Sequence, residues 1–160
     1  MIDPRAHSPV RIVPSAPLPC VARSSLRRVR NPVPPPTTCR YCAGPVHLVN
    51  NAEIYGREYG KWPYAYWCRP CNAYVGLHPG TDIPLGTLAN KELRKLRNEN
   101  KDLFHEVVER FGLSRDEGYE NLSRKLGIPH AECHFGWFDE DRCRQAGEIC
   151  RTALLEAPRK

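Results

Sequence analysis

The sequence predicts an α+β fold: a small ribbon of short antiparallel strands pinned by cysteines, packed on about three α-helices, with a disordered tail in front. Three observations carry that expectation. Two Cys-x-x-Cys pairs, Cys39/Cys42 and Cys68/Cys71, bracket a stretch dense in tyrosine and tryptophan. Capped segments of helical apolar periodicity follow it. Residues 1–36 hold nine of the sixteen prolines and show no periodicity at all.

The tail comes first. Its six arginines, Arg5, Arg11, Arg23, Arg27, Arg28 and Arg30, face one acid, Asp3, for a net +5. The other 124 residues carry 18 basic and 17 acidic side chains, a net of +1. The basic character of the chain (+6, pI near 9.0) therefore belongs to the tail. Such a segment buries too little apolar surface to offset chain entropy, which predicts disorder over 1–36. A start site placed too far upstream would produce the same tail, and that alternative stays open. The tail ends in Asn-Pro-Val-Pro-Pro-Pro, and Pro32–Pro36 mark a stiff extended linker into the first cysteine. No apolar run reaches the length of a membrane span, so no membrane partner is expected.

Residues 37–84 are expected to form the ribbon. Four thiolates delivered as two tight pairs suit tetrahedral zinc, with Zn–S distances of ~2.3 Å. The pairs read C-R-Y-C-A-G-P and C-R-P-C-N-A, and 25 residues (43–67) separate them. This predicts one structural Zn²⁺ on Cys39, Cys42, Cys68 and Cys71. A closed four-thiolate site is a staple and not a catalyst. Thiolate ligands fit a reducing compartment, which makes a cytoplasmic setting the expectation. Val46–Val49 is expected to pair with Glu53–Tyr55 across Asn50-Asn51, with further strands at Tyr64–Trp67 and Ala73–Leu77.

Residues 85–160 are expected to be helical and to pack on the ribbon. Asn90 caps a helix of about twenty residues closed by Gly112, with Leu93, Leu96, Leu103, Phe104, Val107 and Phe111 on one face. Ser114-Arg-Asp-Glu117 is a capping box that opens a second helix ending at Gly127. Asp139 or Asp141 caps a third helix to about Glu156.

From Cys39 to Cys143 the chain resembles a family of uncharacterised bacterial and phage proteins described as zinc-finger-containing. The resemblance rests on C-R-Y-C-A-G-P-V, I-Y-G-R-E-Y-G-K-W-P-Y, C-R-P-C-N-A-Y-V-G-L-H-P-G-T-D-I-P-L-G-T-L-A-N-K-E-L-R-K-L-R and C-H-F-G-W-F-D. It implies zinc at the four cysteines and an intracellular setting, and no established reaction. Two features depart from the family's pattern: the basic tail, and Asn100, Phe104 and His105 where a histidine–phenylalanine-aspartate run is expected.

The chemistry beyond zinc is open to several readings. Arg94, Arg97, Lys101 and His105 fall within about an 80° stripe of the first helix, which could follow a phosphate backbone. Arg23, Arg27, Arg28 and Arg30 form a flexible cationic arm. Together with the ribbon aromatics these favour a nucleic-acid-binding module for DNA or RNA. A protein–protein adaptor is the alternative. A nuclease-like enzyme using His78 and the Cys133–Asp139 loop is disfavoured, because no acidic cluster for Mg²⁺ accompanies them. His78 serves equally well as a loop anchor, and Cys133, Cys143 and Cys150 as small apolar fillers.

Overall fold

The computed structural model describes residues 1–157 and divides the chain into two compact units, Met1–Asn90 and Lys91–Lys160.

The first unit is built on a three-stranded antiparallel sheet, ordered β1 (His47–Asn50), β2 (Tyr64–Cys68), β3 (Ala73–Gly76). The central strand, Tyr-Ala-Tyr-Trp-Cys, is rich in residues that suit a pleated, half-buried surface. Its register sets His47 opposite Trp67, and Cys68 opposite Ala73. The hairpin expected between Val46–Val49 and Glu53–Tyr55 does not form. Residues Ala52–Tyr55 close instead into a helical turn, ended by Gly56 at φ +84°. Asn50 and Asn51 explain the difference. Asn50 Oδ1 accepts from the Ala52 N–H. The Asn51 side-chain amide clamps the Tyr59 backbone, its Nδ2–H donating to the C=O and its Oδ1 accepting from the N–H. The chain therefore loops out and returns as β2.

The boundary expected at 84/85 falls at 90/91, because the chain after β3 folds back along it. Leu77 bridges Pro84, and Tyr74 bridges Ala89. Cys39, Tyr66, Cys68, Val75, Leu77 and Leu88 form the core of this unit.

Residues 1–36 differ from the expected disordered tail. They contain a single 3-10 turn at Pro4–Ala6 and a short helix, α1 (Arg23–Arg28). Ala6, Leu26 and Val29 are buried together with Ile83, and Leu18 joins the sheet core. Six-residue helices are too short to stand alone. What holds this one is tertiary contact, and local periodicity carries no trace of that.

The second unit has three longer helices, α2 (Lys91–Arg110), α3 (Arg115–Leu126) and α4 (Glu140–Glu156), at the expected positions. The capping box at Ser114 forms in both directions, and Gly127 ends α3 at φ +70°. Asp139 caps α4 by accepting from the Arg142 N–H. Leu93, Phe104, Tyr119, Leu122, Phe135 and Phe138 are buried, with Cys133, Cys143 and Cys150 filling between them. The buried stripe of α2 nevertheless runs Leu93, Arg97, Asn100, Phe104, with Phe111 exposed. Arg97, expected on an outer basic stripe, is thus interior, and Asn100 is a polar residue within the apolar face itself.

Candidate metal centre

Each cysteine pair sits in a tight turn. In the first, the Cys39 N–H donates to Gly44 C=O and the Ala43 N–H to Cys39 C=O. In the second, the Asn72 N–H donates to Arg69 C=O, and the Trp67 indole N–H holds the Asn72 side chain at 3.1 Å. The residue after each second cysteine, Ala43 (φ 61°) or Asn72 (φ 47°), takes the left-handed conformation. Asparagine tolerates that region readily and alanine does so at a cost. The turns aim backbone N–H groups at sulfur: Tyr41 N–H at Cys39 Sγ and Gly44 N–H at Cys42 Sγ, each at 3.4 Å. Gly44 is also confined, since a Cβ there would lie 3.2 Å from Cys42 Sγ.

The four Sγ atoms lie within 4.8 Å of one another, and those of Cys42 and Cys68 are 3.6 Å apart. Four sulfurs at ~2.3 Å from one ion, at tetrahedral corners, sit about 3.8 Å apart, so the cluster fits one zinc ion. Cys39 and Cys68 are buried, Cys71 is half-buried and Cys42 is exposed. The charge on the sulfurs makes the same case. Cys71 is pushed up to about 12 by its hydrogen bond with Cys42 and by burial. Cys68 is raised chiefly by burial. Burial also raises Cys39, but the N–H groups of Tyr41 and Cys42 and the neighbouring thiols outweigh it and bring Cys39 down to about 7. Four thiolates coexist here only around a cation. With all four positions taken by sulfur, the centre is structural.

Among the described residues no second cluster of metal-binding side chains occurs. Cys133, Cys143 and Cys150 are each raised to about 11 by burial, so they are protonated fillers at neutral pH. His78 brackets a turn with its backbone: its N–H donates to Ile83 C=O, and its C=O accepts from the Thr81 N–H and hydroxyl.

The expected basic stripe of α2 loses its central member. Arg97 is 9% exposed and its Nε–H donates to Phe138 C=O at 3.0 Å, which commits it to the interior of the helical unit. Arg94 and Lys101 are half-buried, whereas Arg27, Arg28 and Arg30 are exposed on or beside α1. Arg27 also donates to Ala6 C=O.

A different surface emerges beside the sheet. Tyr55 meets Tyr59 and Tyr74 edge-on, at centroid distances of 5.2 and 5.6 Å. Tyr55 and Tyr59 are 44% and 47% exposed. Arg57 lies over the Tyr59 ring at 4.4 Å, and Arg69 over Trp67 at 4.9 Å. Arg69 also approaches Glu53, on the same helical turn as Tyr55, at 3.7 Å. Arg57 and Arg69 are not among the candidates that the sequence singles out. The alternation of aromatic and basic residues in Tyr-Gly-Arg-Glu-Tyr is the signal that points to Arg57.

The fold and the centre define a zinc-binding module joined to a helical unit. Residues 35–153 match the family model DUF3268, a zinc-finger-containing domain, and the chain belongs to that family. Comparison with curated proteins and with solved structures gives no match. Among the described residues no helix is long and apolar enough to cross a membrane.

Proposed function

We propose that the chain is a nucleic-acid-binding module in which zinc fixes the sheet and the Tyr55–Tyr59–Arg57 surface engages single-stranded nucleic acid. The observation that carries this reading is the pair of exposed tyrosines beside two arginines already lying over aromatic rings. Exposed aromatic faces stack bases and guanidinium groups contact phosphate, a combination tolerant of sequence. The exposed arginines of α1 add long-range attraction for a polyanion. The near-neutral charge of the remaining chain makes stacking, more than bulk electrostatics, the source of affinity.

The test is binding of the zinc-loaded protein to labelled single- and double-stranded oligonucleotides over a salt series. Loss of one stacked base costs about 1–3 kcal/mol, so Tyr59→Ala is expected to weaken single-strand binding by about fivefold to a hundredfold. Undiminished binding by a Tyr55→Ala/Tyr59→Ala variant would remove the reading.

A second reading, a protein–protein adaptor, is favoured by an apolar cleft of about 300 Å³ on the helical unit, lined by Phe104, Phe111, Leu122, Ile149 and Ala153. Phe111 stands 41% exposed at its edge.

A further inference from the structure

The loop between His78 and Pro84 is gripped from two sides. From the sheet side, the Trp62 indole N–H donates to Thr81 C=O and the Tyr66 hydroxyl to Asp82 C=O. On the other side lies the N-terminal arm. Arg5 forks onto the Asp82 carboxylate with both terminal nitrogens, at 2.9 and 2.7 Å, and its Nε–H and Nη2–H reach Asp3 as well. Leu26, fully buried, packs in one cluster with Ile83, which is 2% exposed. The Ala22 N–H donates to Gly80 C=O at 2.9 Å, and α1 lies so close that a Cβ on Gly80 would collide with Ser25 Oγ.

Two features separate this contact from ordinary core packing. Gly80, Asp82 and Ile83 all lie inside the stretch that matches the family, 35–153, whereas Arg5, Ala22 and Leu26 lie before it. The arm adds no strand to the sheet, and the Ala22–Gly80 hydrogen bond is its main-chain tie to the loop. The contact combines a bidentate arginine–carboxylate pair with apolar side chains of the arm: Ala6, Leu26 and Val29 cluster with Ile83, and Leu18 reaches the sheet core. Paired forks of this kind give geometric specificity as well as strength, and arginine is among the side chains that dominate recognition hot spots.

We propose that the His78–Pro84 loop is a protein-docking site that recognises a segment carrying an arginine and a leucine anchor, and that the arm occupies it in cis. The partner class is a basic, proline-containing protein segment, and the chain supplies its template: its own residues 1–31. The tethered arm holds the site at an effective concentration of about 1 mM, so an external segment binds only by displacing it. Proline-rich composition limits how much the arm gains from its own internal structure, which keeps displacement feasible.

The experiment is fluorescence anisotropy of a labelled peptide of residues 1–31 against the full-length, zinc-loaded protein. Wild type is expected to bind it weakly. Arg5→Ala/Leu26→Ala, which loosens the tethered arm, is expected to bind it at least tenfold more tightly. Adding Asp82→Asn to that variant, or Arg5→Ala to the peptide, is expected to remove the gain. Zinc content and circular dichroism of each variant accompany the titration. A loosened variant that keeps zinc and fold yet fails to bind the peptide overturns the proposal, because the arm is then a fixed part of the domain. Loss of zinc or fold in the loosened variant overturns it for the same reason. A gain that survives Asp82→Asn overturns the arginine–carboxylate recognition. Hydrogen exchange on wild type gives an independent check: the Ala22 amide should exchange faster than the Tyr74 amide, and equal protection counts against an arm that lifts off.

Discussion

The two units solve the same problem, fixing a small fold, by different means. The helical unit does it with apolar volume: Phe104, Tyr119, Phe135 and Phe138 gather in ring contacts 4.3 to 6.4 Å apart, and caps finish the helix ends. The first unit has three short strands and a core that includes two of its own metal ligands, Cys39 and Cys68. Small domains with little apolar volume need a staple, and here the staple is the metal. One unit should therefore depend on zinc and the other should not.

Removing the metal should break that comparison most strongly. Structural zinc contributes about 10–16 kcal/mol in small peptides at neutral pH, and in this unit that is folding energy. Cys68→Ser is expected to release zinc and unfold the sheet while the helical circular dichroism largely persists. Tight retention of one zinc per chain would show that the ligand set is different. Acid should act in the same direction. Zinc competes with protons for the four sulfurs, so affinity is greatest at high pH and falls as pH is lowered. A metal-release titration that moved the opposite way would contradict thiolate ligation.

A smaller effect is expected inside the helical unit, and it should spare zinc. Gly147 on α4 faces Asn100 on α2, and a Cβ there would collide with Asn100 Oδ1. Asn100 is 3% exposed, and its amide N–H is tied to Leu96 C=O at 2.8 Å, so it has little room to turn. Overpacking of this kind costs about 1–3 kcal/mol. Gly147→Ala should lower the thermal midpoint of the helices, and Asn100→Ala in the same chain should restore part of the loss. Purely additive losses in the double variant would exclude direct contact as the cause.

Two local changes complete the series. Ser114→Ala removes one half of the capping box of α3 and should cost about 1 kcal/mol, measured by chemical denaturation of the helical unit. Ala43→Gly should act on the other unit with the opposite sign. It relieves a left-handed alanine in the first cysteine turn, a strain of about 1–2 kcal/mol. That exceeds the roughly 0.4–1 kcal/mol of chain entropy that a glycine costs, and the net gain should be visible as slower zinc transfer to a chelator.

Legibility follows the same division. The helices are readable to within a residue or two, because Ser114, Gly127 and Asp139 are local signals whose partners lie within a turn. The four ligands are readable because Cys-x-x-Cys is itself a local geometry. The path after β1 is not, since Asn51 acts through Tyr59, eight residues away. Arg97 escapes on the same ground: its partner, Phe138 C=O, is 41 residues distant, and a charge on a polar-looking stripe gives no sign of that.

By itself the sequence determined the zinc ligands, the helix limits and the concentration of positive charge before residue 37. Each depends on residues close together along the chain. Only the tertiary structure decided that the proline-rich arm is seated on the His78–Pro84 loop, that Arg97 is interior and that Tyr55, Tyr59 and Arg57 share an exposed surface. Those outcomes depend on contacts such as Arg5 with Asp82, 77 residues apart. Closing so long a loop is repaid by the whole set of contacts it brings together, and no stretch of local sequence encodes that sum.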